Sequence, residues 1–154
     1  MATRKKYLPL PPLPIVGSLT EDSRVIAAFA GANAYEKVPM GDDSIGRNVT
    51  VATGAGHSLT VQKKGLYELW LEGVLLLAGG GENFGVALLK DTVEIPGLVL
   101  GITTTLDEEH EYSRRFQVDL NVGEVITMEI KNFSNTNGCN LGNFSYGIRR
   151  IGDS

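Results

Sequence analysis

Residues 58–73, SLTVQKKGLYELWLEG, carry the pattern that decides the fold. Downstream of the Lys-Lys-Gly turn signal, large apolar residues occupy alternate positions, and these are Tyr67, Leu69 and Leu71. The positions between them hold Glu68, Trp70 and Glu72. A period of two is typical of a strand that is buried on one face only. The stretch therefore predicts a half-buried β-strand, preceded by a shorter strand around Leu59 and Val61.

The same period recurs downstream, in residues 116–121, 126–131 and 144–149. Segments rich in glycine, asparagine and aspartate separate the strand patterns and predict turns. With the fainter patterns included, the chain has about nine strands at the spacing of a sandwich. We predict an all-β protein, an antiparallel β-sandwich over residues 23–154. Ser23–Ala34 is the best helix candidate, although Gly31 and the Val25-Ile26 pair disfavour a helix there.

Residues 1–22 differ from the rest of the chain and predict an extended N-terminal arm. Four prolines between residues 9 and 14 remove backbone donors and favour polyproline II. The apolar residues among them favour an arm that docks on a neighbouring subunit or another protein, since exposed apolar groups mark contacts. A disordered leader is the alternative. The candidate contact residues are Arg4, Lys5, Lys6, Tyr7, Leu8, Leu10, Leu13, Ile15 and Val16.

Composition excludes several classes of function. The chain has 154 residues, enough for one domain with its own core. A net charge of −4 argues against a nucleic-acid partner, which clustered cations would have to bind. No apolar run approaches the roughly 20 residues of a membrane span, so we expect no membrane partner. Cys139 is the single cysteine, so no intrachain disulfide forms, and we expect synthesis in a reducing cytoplasm.

The sequence shows no converging catalytic chemistry. His57 lies in a glycine-flanked turn, His110 lies in an acidic run, and neither accompanies a nucleophile signature. The run 107–111, DEEHE, is the densest set of potential metal ligands, but a linear acidic run is usually solvated. We therefore predict no enzyme activity, no cofactor and no metal. The alternative is a small hydrolase that uses Glu108, His110 or Glu111.

Three segments resemble a known superfamily. Residues 58–71, with Gly65-x-Tyr67, are similar to the signature strand of C1q/TNF-like jelly rolls. Residues 118–128, with Val122-Gly123-Glu124, resemble a second element of that superfamily, although Glu124 stands where aspartate is usual. Residues 144–151 resemble its closing strand. The resemblance covers roughly residues 24–152 and implies a jelly-roll β-sandwich.

Within that superfamily, the chain resembles the trimeric decoration (cement) proteins of tailed-phage capsids. The resemblance implies a homotrimer that binds the major capsid protein on the outer surface of a virion and stabilises the shell. The arm would then clamp the capsid. Strand parity places Trp70 and Val74 on an outer face, where a tryptophan suggests a subunit contact or a ring packed under a loop. The candidate interface residues are Tyr67, Trp70, Val74 and Tyr146.

A receptor- or glycan-binding fibre tip of the same fold is the alternative function. It would need an aromatic-rich set of loops at one end of the sandwich. Only Tyr35 and Tyr112 are predicted to lie in loops, so this alternative ranks second.

Overall fold

The computed structural model describes residues 14–41, 43–76, 82–103 and 109–153. Within these ranges the regular structure is strand only, as predicted. The strands are β1 (Val16–Ala28), β2 (Glu36–Lys37), β3 (Asp43–Arg47), β4 (Val49–Ala52), β5 (Ser58–Val61), β6 (Gly65–Leu76), β7 (Asn83–Lys90), β8 (Val93–Thr103), β9 (Glu109–Leu120), β10 (Val125–Asn132) and β11 (Asn137–Gly152). No helix long and apolar enough to cross a membrane occurs among these residues.

Two antiparallel sheets pack face to face. The five-stranded sheet has the order β3-β1-β11-β6-β9. The six-stranded sheet has the order β4-β5-β10-β7-β8, and β2 pairs with β10 beside that path. Most neighbours in each sheet are distant in sequence, so the chain crosses repeatedly between the sheets, as jelly rolls do. The all-β sandwich predicted from the sequence is confirmed.

The core lies between the sheets and follows the predicted alternation. Leu69 and Leu71 of β6 are fully buried, as are Met128 and Ile130 of β10. At about 25 cal/mol per Å² of apolar surface, such side chains are the main source of stability. Phe116 is an exception. Its place in the alternation puts it on the core-facing side of its strand, and yet its side chain remains 40% exposed. It lies on β9, an edge strand, where no further strand covers it.

The N-terminal part of the sandwich differs from the prediction. The best helix candidate, Ser23–Ala34, forms no helix, as Gly31 and the Val25-Ile26 pair suggested, because β1 runs to Ala28 and pairs with β11 from Val16 to Ala28. The boundary expected at residue 22 also moves, since Val16 already pairs with Arg149 and Leu19 is fully buried. Long-range pairing here overrides a local composition that looked helical. The sheet begins at Val16.

Close backbone packing explains the Gly65-x-Tyr67 motif. A Cβ on Gly65 would lie 2.6 Å from the carbonyl oxygen of Gly152, so only glycine lets β6 and β11 approach here. Two residues later, the Tyr67 hydroxyl donates to the carbonyl of Lys63 at 2.6 Å and closes the preceding turn. The motif therefore fixes the entry of β6 into the sheet.

The two ends of the sandwich differ, and we name them by their connections. The tight-turn end carries the short connections at residue 48 and at 62–64, 91–92 and 121–124. Both described chain ends are also there, because the backbone N–H of Arg150 donates to the carbonyl of Ile15 at 3.0 Å. The long-loop end carries the longer connections at 29–35, 53–57 and 133–136, and the strands joined by residues 77–82 and 104–108 also end there.

Candidate functional site

The outer face of the five-stranded sheet carries the exposed interface candidates. Trp70 is half-buried on this face, although only its own sheet supports it. Its ring lies flat over Gly147 of β11, because a Cβ there would come within 2.7 Å of the ring atom Cε2. Across β1, Ser18 pairs with Gly147 and Ile45 pairs with Ser18. The row Ile45, Ser18, Gly147 and Trp70 therefore forms a weakly polar strip across four of the five strands, and Arg115 on β9 ends the row.

Charged side chains flank this strip. Towards the tight-turn end, Glu68 binds Arg149 at 2.8 Å and faces Arg115 at 3.7 Å. Towards the long-loop end, the Ser145 hydroxyl donates to Glu72 at 3.1 Å. Ion pairs at an exposed surface contribute at most about 1 kcal/mol each to stability. Their main effect here is to fix the positions of charges around the strip.

Val74 lines a shallow concavity beside the strip, with a volume of about 450 Å³. Glu72, Glu111, Ser113 and Asn143 line it as well. It forms where β11 bulges between Gly142 and Ser145, with Asn143 at a φ of +46°. A bulge bends its strand and redirects the side chains beside it. The outer face is therefore flat at Trp70 and concave at Val74.

Tyr67 and Tyr146 do not belong to this face, which corrects two of the four predicted interface residues. Both are fully buried between the sheets. Tyr67 alternates with Glu68 and Trp70, so its ring points into the core. Tyr146 lies opposite Leu71 in β6 and shares that inward direction. The interface candidates at the surface of the chain are therefore Trp70 and Val74.

The predicted arm is described only from residue 14 onward. Arg4, Lys5, Lys6, Tyr7, Leu8, Leu10 and Leu13 lie outside the described residues. Ile15 packs against the core, and Val16 is the first residue of β1. These two residues therefore belong to the sandwich and not to the arm, to which the sequence analysis assigned them. Because Ile15 continues the pairing with β11, the described part of the chain begins at the tight-turn end.

The acidic run does not bring catalytic groups together. His110 and Glu111 are neighbours on β9 and therefore point to opposite faces of the sheet. Residues 107 and 108 lie outside the described ranges. Among the described residues, no three histidine, cysteine, aspartate or glutamate side chains are placed to hold a metal ion. Of the three residues that the hydrolase alternative would use, Glu108 lies outside the described residues, and His110 and Glu111 do not face each other.

A buried polar pair in the core escaped the sequence analysis. The His57 ring is fully buried, and its Nδ1 lies 2.9 Å from the hydroxyl of Tyr146. Its Nε2 has no hydrogen-bond partner among the described residues. Burial, with a smaller contribution from the charge of Lys37, lowers the pKa of His57 to about 4. The two residues are 89 positions apart in sequence, so no local pattern could have paired them.

Cys139 is also a core residue. Its side chain is 2% exposed. Burial, followed by the charge of Glu82, raises the pKa of the thiol to about 12. The thiol stays protonated at neutral pH, and a protonated thiol is a poor nucleophile.

Comparisons with known proteins show the class of fold. No protein-family model and no curated protein matches the sequence. Among solved structures, the chain resembles Eiger TNF from S. frugiperda, with a TM-score of 0.59 and 12% identity. The match covers 92% of this chain and 94% of that one. The globular domain of the zebrafish complement 1qA protein matches with a TM-score of 0.58 and 12% identity, covering 91% and 99%. The chain therefore has a C1q/TNF-like jelly-roll fold, as its motifs predicted.

A phage protein shares this fold. The PRD1 vertex protein P5 matches with a TM-score of 0.59 and 17% identity, covering 92% of this chain and 99% of that one. The predicted resemblance to phage jelly rolls of this class is thus confirmed for the fold.

Proposed function

We propose that the protein is a homotrimeric structural component of a phage virion. In this proposal it is a capsid decoration (cement) protein, made in the host cytoplasm, which binds the major capsid protein on the outer surface of the shell. It works by binding and has no catalytic activity. The carrying observation is the likeness, over nearly the whole chain, to a phage protein that is itself a vertex protein.

The position of the arm supports the proposal. Ile15 lies at the tight-turn end, beside the start of β1 and away from the long loops, so an arm formed by residues 1–13 would start there. In the polyproline II conformation predicted for it, an arm of 13 residues would reach about 40 Å from the body. That distance lets an apolar arm with a basic tip reach beyond the body into a neighbouring protein. Three arms on one trimer would bind as a multivalent unit.

The outer face of the five-stranded sheet supports self-association. A half-buried tryptophan on a weakly polar strip is the kind of side chain that contributes most to protein interfaces. We propose that Trp70, with Val74 beside it, packs against another copy of the chain. W70E should then give monomers in native mass spectrometry where the wild type gives trimers. V93E is the matched control, since Val93 is 67% exposed and lies at the start of β8, in the other sheet.

Deletion of residues 2–13 tests the role of the arm and leaves β1 intact. The truncated protein should remain a folded trimer and should no longer co-sediment with shells of the major capsid protein encoded in the same genome. A cut at residue 22 would be uninformative, because it removes Leu19 and half of β1 from the sheet. If the truncated protein occupied the shells to the same extent as the wild type, the proposal would be contradicted.

A receptor- or glycan-binding tip remains the second candidate, and the geometry of the long-loop end favours it. Several long connections meet there, opposite the arm. Of the two predicted loop aromatics, Tyr35 is half-buried there, whereas Tyr112 is buried on β9. Phe133 adds an exposed ring at the same end. Binding on a glycan array, together with no affinity for shells, would favour this function over decoration.

A further inference from the structure

We propose that the tight-turn end of the sandwich is a second contact surface for the shell, which binds an acidic area with an apolar floor on the capsid protein. The inference rests on the proposed function and adds to it. The arm would tether the protein, and the tight-turn end of the body would set its orientation on the particle.

Hydrogen bonds between the turns make this end rigid. Val61 exchanges backbone hydrogen bonds with the 121–124 turn, donating to Glu124 at 3.0 Å and accepting from Gly123 at 2.8 Å. The 91–92 turn joins them, because Asp91 donates to the Val125 carbonyl and accepts from the Val125 N–H, each at 2.9 Å. A preorganised surface loses little entropy when it docks.

Apolar side chains are exposed at this end. Val93 is 67% exposed, Val122 is 63% exposed and Ile151 is 41% exposed. Ile151 sits at the register shift between Arg150 and Gly152, where it has no paired residue in β6. A single exposed apolar side chain needs no explanation, but three at one rigid end of the sandwich form a candidate contact.

The charges at this end are complementary to an acidic partner. Lys63 and Lys64 are exposed, and neither forms an ion pair within the described ranges. Of the carboxylates at this end, Glu124 is paired with Lys90 and Asp153 with Arg150, Asp91 accepts from the Val125 N–H, and Asp119 forms no ion pair within the described ranges. The chain as a whole carries −4, so these cations stand out from its average charge. Opposite charges across an interface speed association and fix its register.

The arm joins this surface directly. Ile15 is hydrogen-bonded to Arg150, and the Arg150 side chain in turn donates to the carbonyl of Lys64 at 3.1 Å. The exit of the arm and the exposed lysines therefore belong to one connected region. Once an arm is bound, the effective concentration of this region at the shell is high, so a weak contact is sufficient.

The test uses the full-length protein with its arm intact. K63E/K64E and V122D are compared with V25D, which adds an acidic residue near the other end of the body. Binding to shells assembled from the major capsid protein of the same genome is measured by co-sedimentation at low and high salt. Native mass and thermal unfolding serve as checks that each variant is folded.

The charge-reversal variant should lose about tenfold in affinity at low salt and less at high salt, because salt screens exposed charges. V122D should lose affinity at both salt concentrations, and V25D should bind like the wild type. If V122D fails to fold, the lysine variant alone decides. Wild-type affinity for both variants would overturn the inference and leave the proposed function intact. A wild-type protein that binds no shells would overturn both.

Discussion

Acidification should destabilise the fold through His57. In the folded protein the pKa of His57 is about 4, whereas an exposed histidine has a pKa of 6.5. Between these values the unfolded chain binds the proton and the folded chain does not. The free energy of unfolding therefore rises with pH in this window and is lost as the pH falls. A shift from 6.5 to about 4 corresponds to a loss of up to about 3 kcal/mol between pH 7 and pH 4.

The assay is chemical denaturation of the wild type and of H57N at several pH values between 4 and 7. Protein concentration is held constant, because an oligomer gains apparent stability with concentration. Asparagine cannot titrate and still offers a polar atom to Tyr146. Glu94 and Glu124 also have lowered pKa values and lose their stabilising effect as the pH falls, but they do so equally in both proteins. The difference between the two slopes therefore belongs to His57.

H57N should be less stable than the wild type at pH 7 and should lose much less stability on acidification. Parallel slopes for the two proteins would refute the buried, neutral state of His57. NMR titration gives a second measurement, in an H110Q background that leaves His57 as the single histidine. A midpoint near 6.5 would contradict the same reasoning.

Three further predictions concern the sheets and the core. G147A should cost about 1–3 kcal/mol of stability because the tryptophan ring above it must move, whereas G56A, with open space at its Cβ, should cost far less in the same thermal melts. Y146F should cost about 1–3 kcal/mol in denaturant titrations, because it leaves His57 Nδ1 buried without its partner; an unchanged midpoint would contradict this. Cys139 should resist alkylation in the native protein at pH 8 and react fully in denaturant, and rapid native labelling would show that the thiol is accessible.

The sequence was sufficient to predict the class of fold because apolar and polar residues alternate wherever a strand has one buried face. Residues 67, 69 and 71 of β6 show this, and so do residues 126, 128 and 130 of β10. The Gly65-x-Tyr67 motif was readable for a related reason, since it records a backbone approach that only glycine permits. The alternation acts between near neighbours in the chain, whereas the approach of Gly65 to Gly152 is long-range and was readable only because the motif resembles that of a known superfamily.

Features that depend on distant residues could not be predicted. The segment 23–28 looks helical by composition and becomes strand through pairing with β11, more than 100 positions away. The side chain of Phe116 has core parity, but its exposure depends on β9 being an edge strand. Tyr67 and Tyr146 were predicted to lie at an interface, although the alternation along their strands points both side chains into the core. The partner of His57 lies across the sandwich, so its role is visible only in three dimensions.

The adjacency of residue 15 and residue 150 has a practical consequence for engineering. A peptide fused after Asp153 would emerge at the end of the body where residue 15 lies and where the proposed arm would start. If that end faces a shell, the fused peptide would lie between the protein and the shell and would hinder binding to the shell. Foreign epitopes intended for display belong instead between Ala55 and Gly56, which are exposed in a connection at the opposite end. Insertions there leave the strand pairing and the arm unaltered.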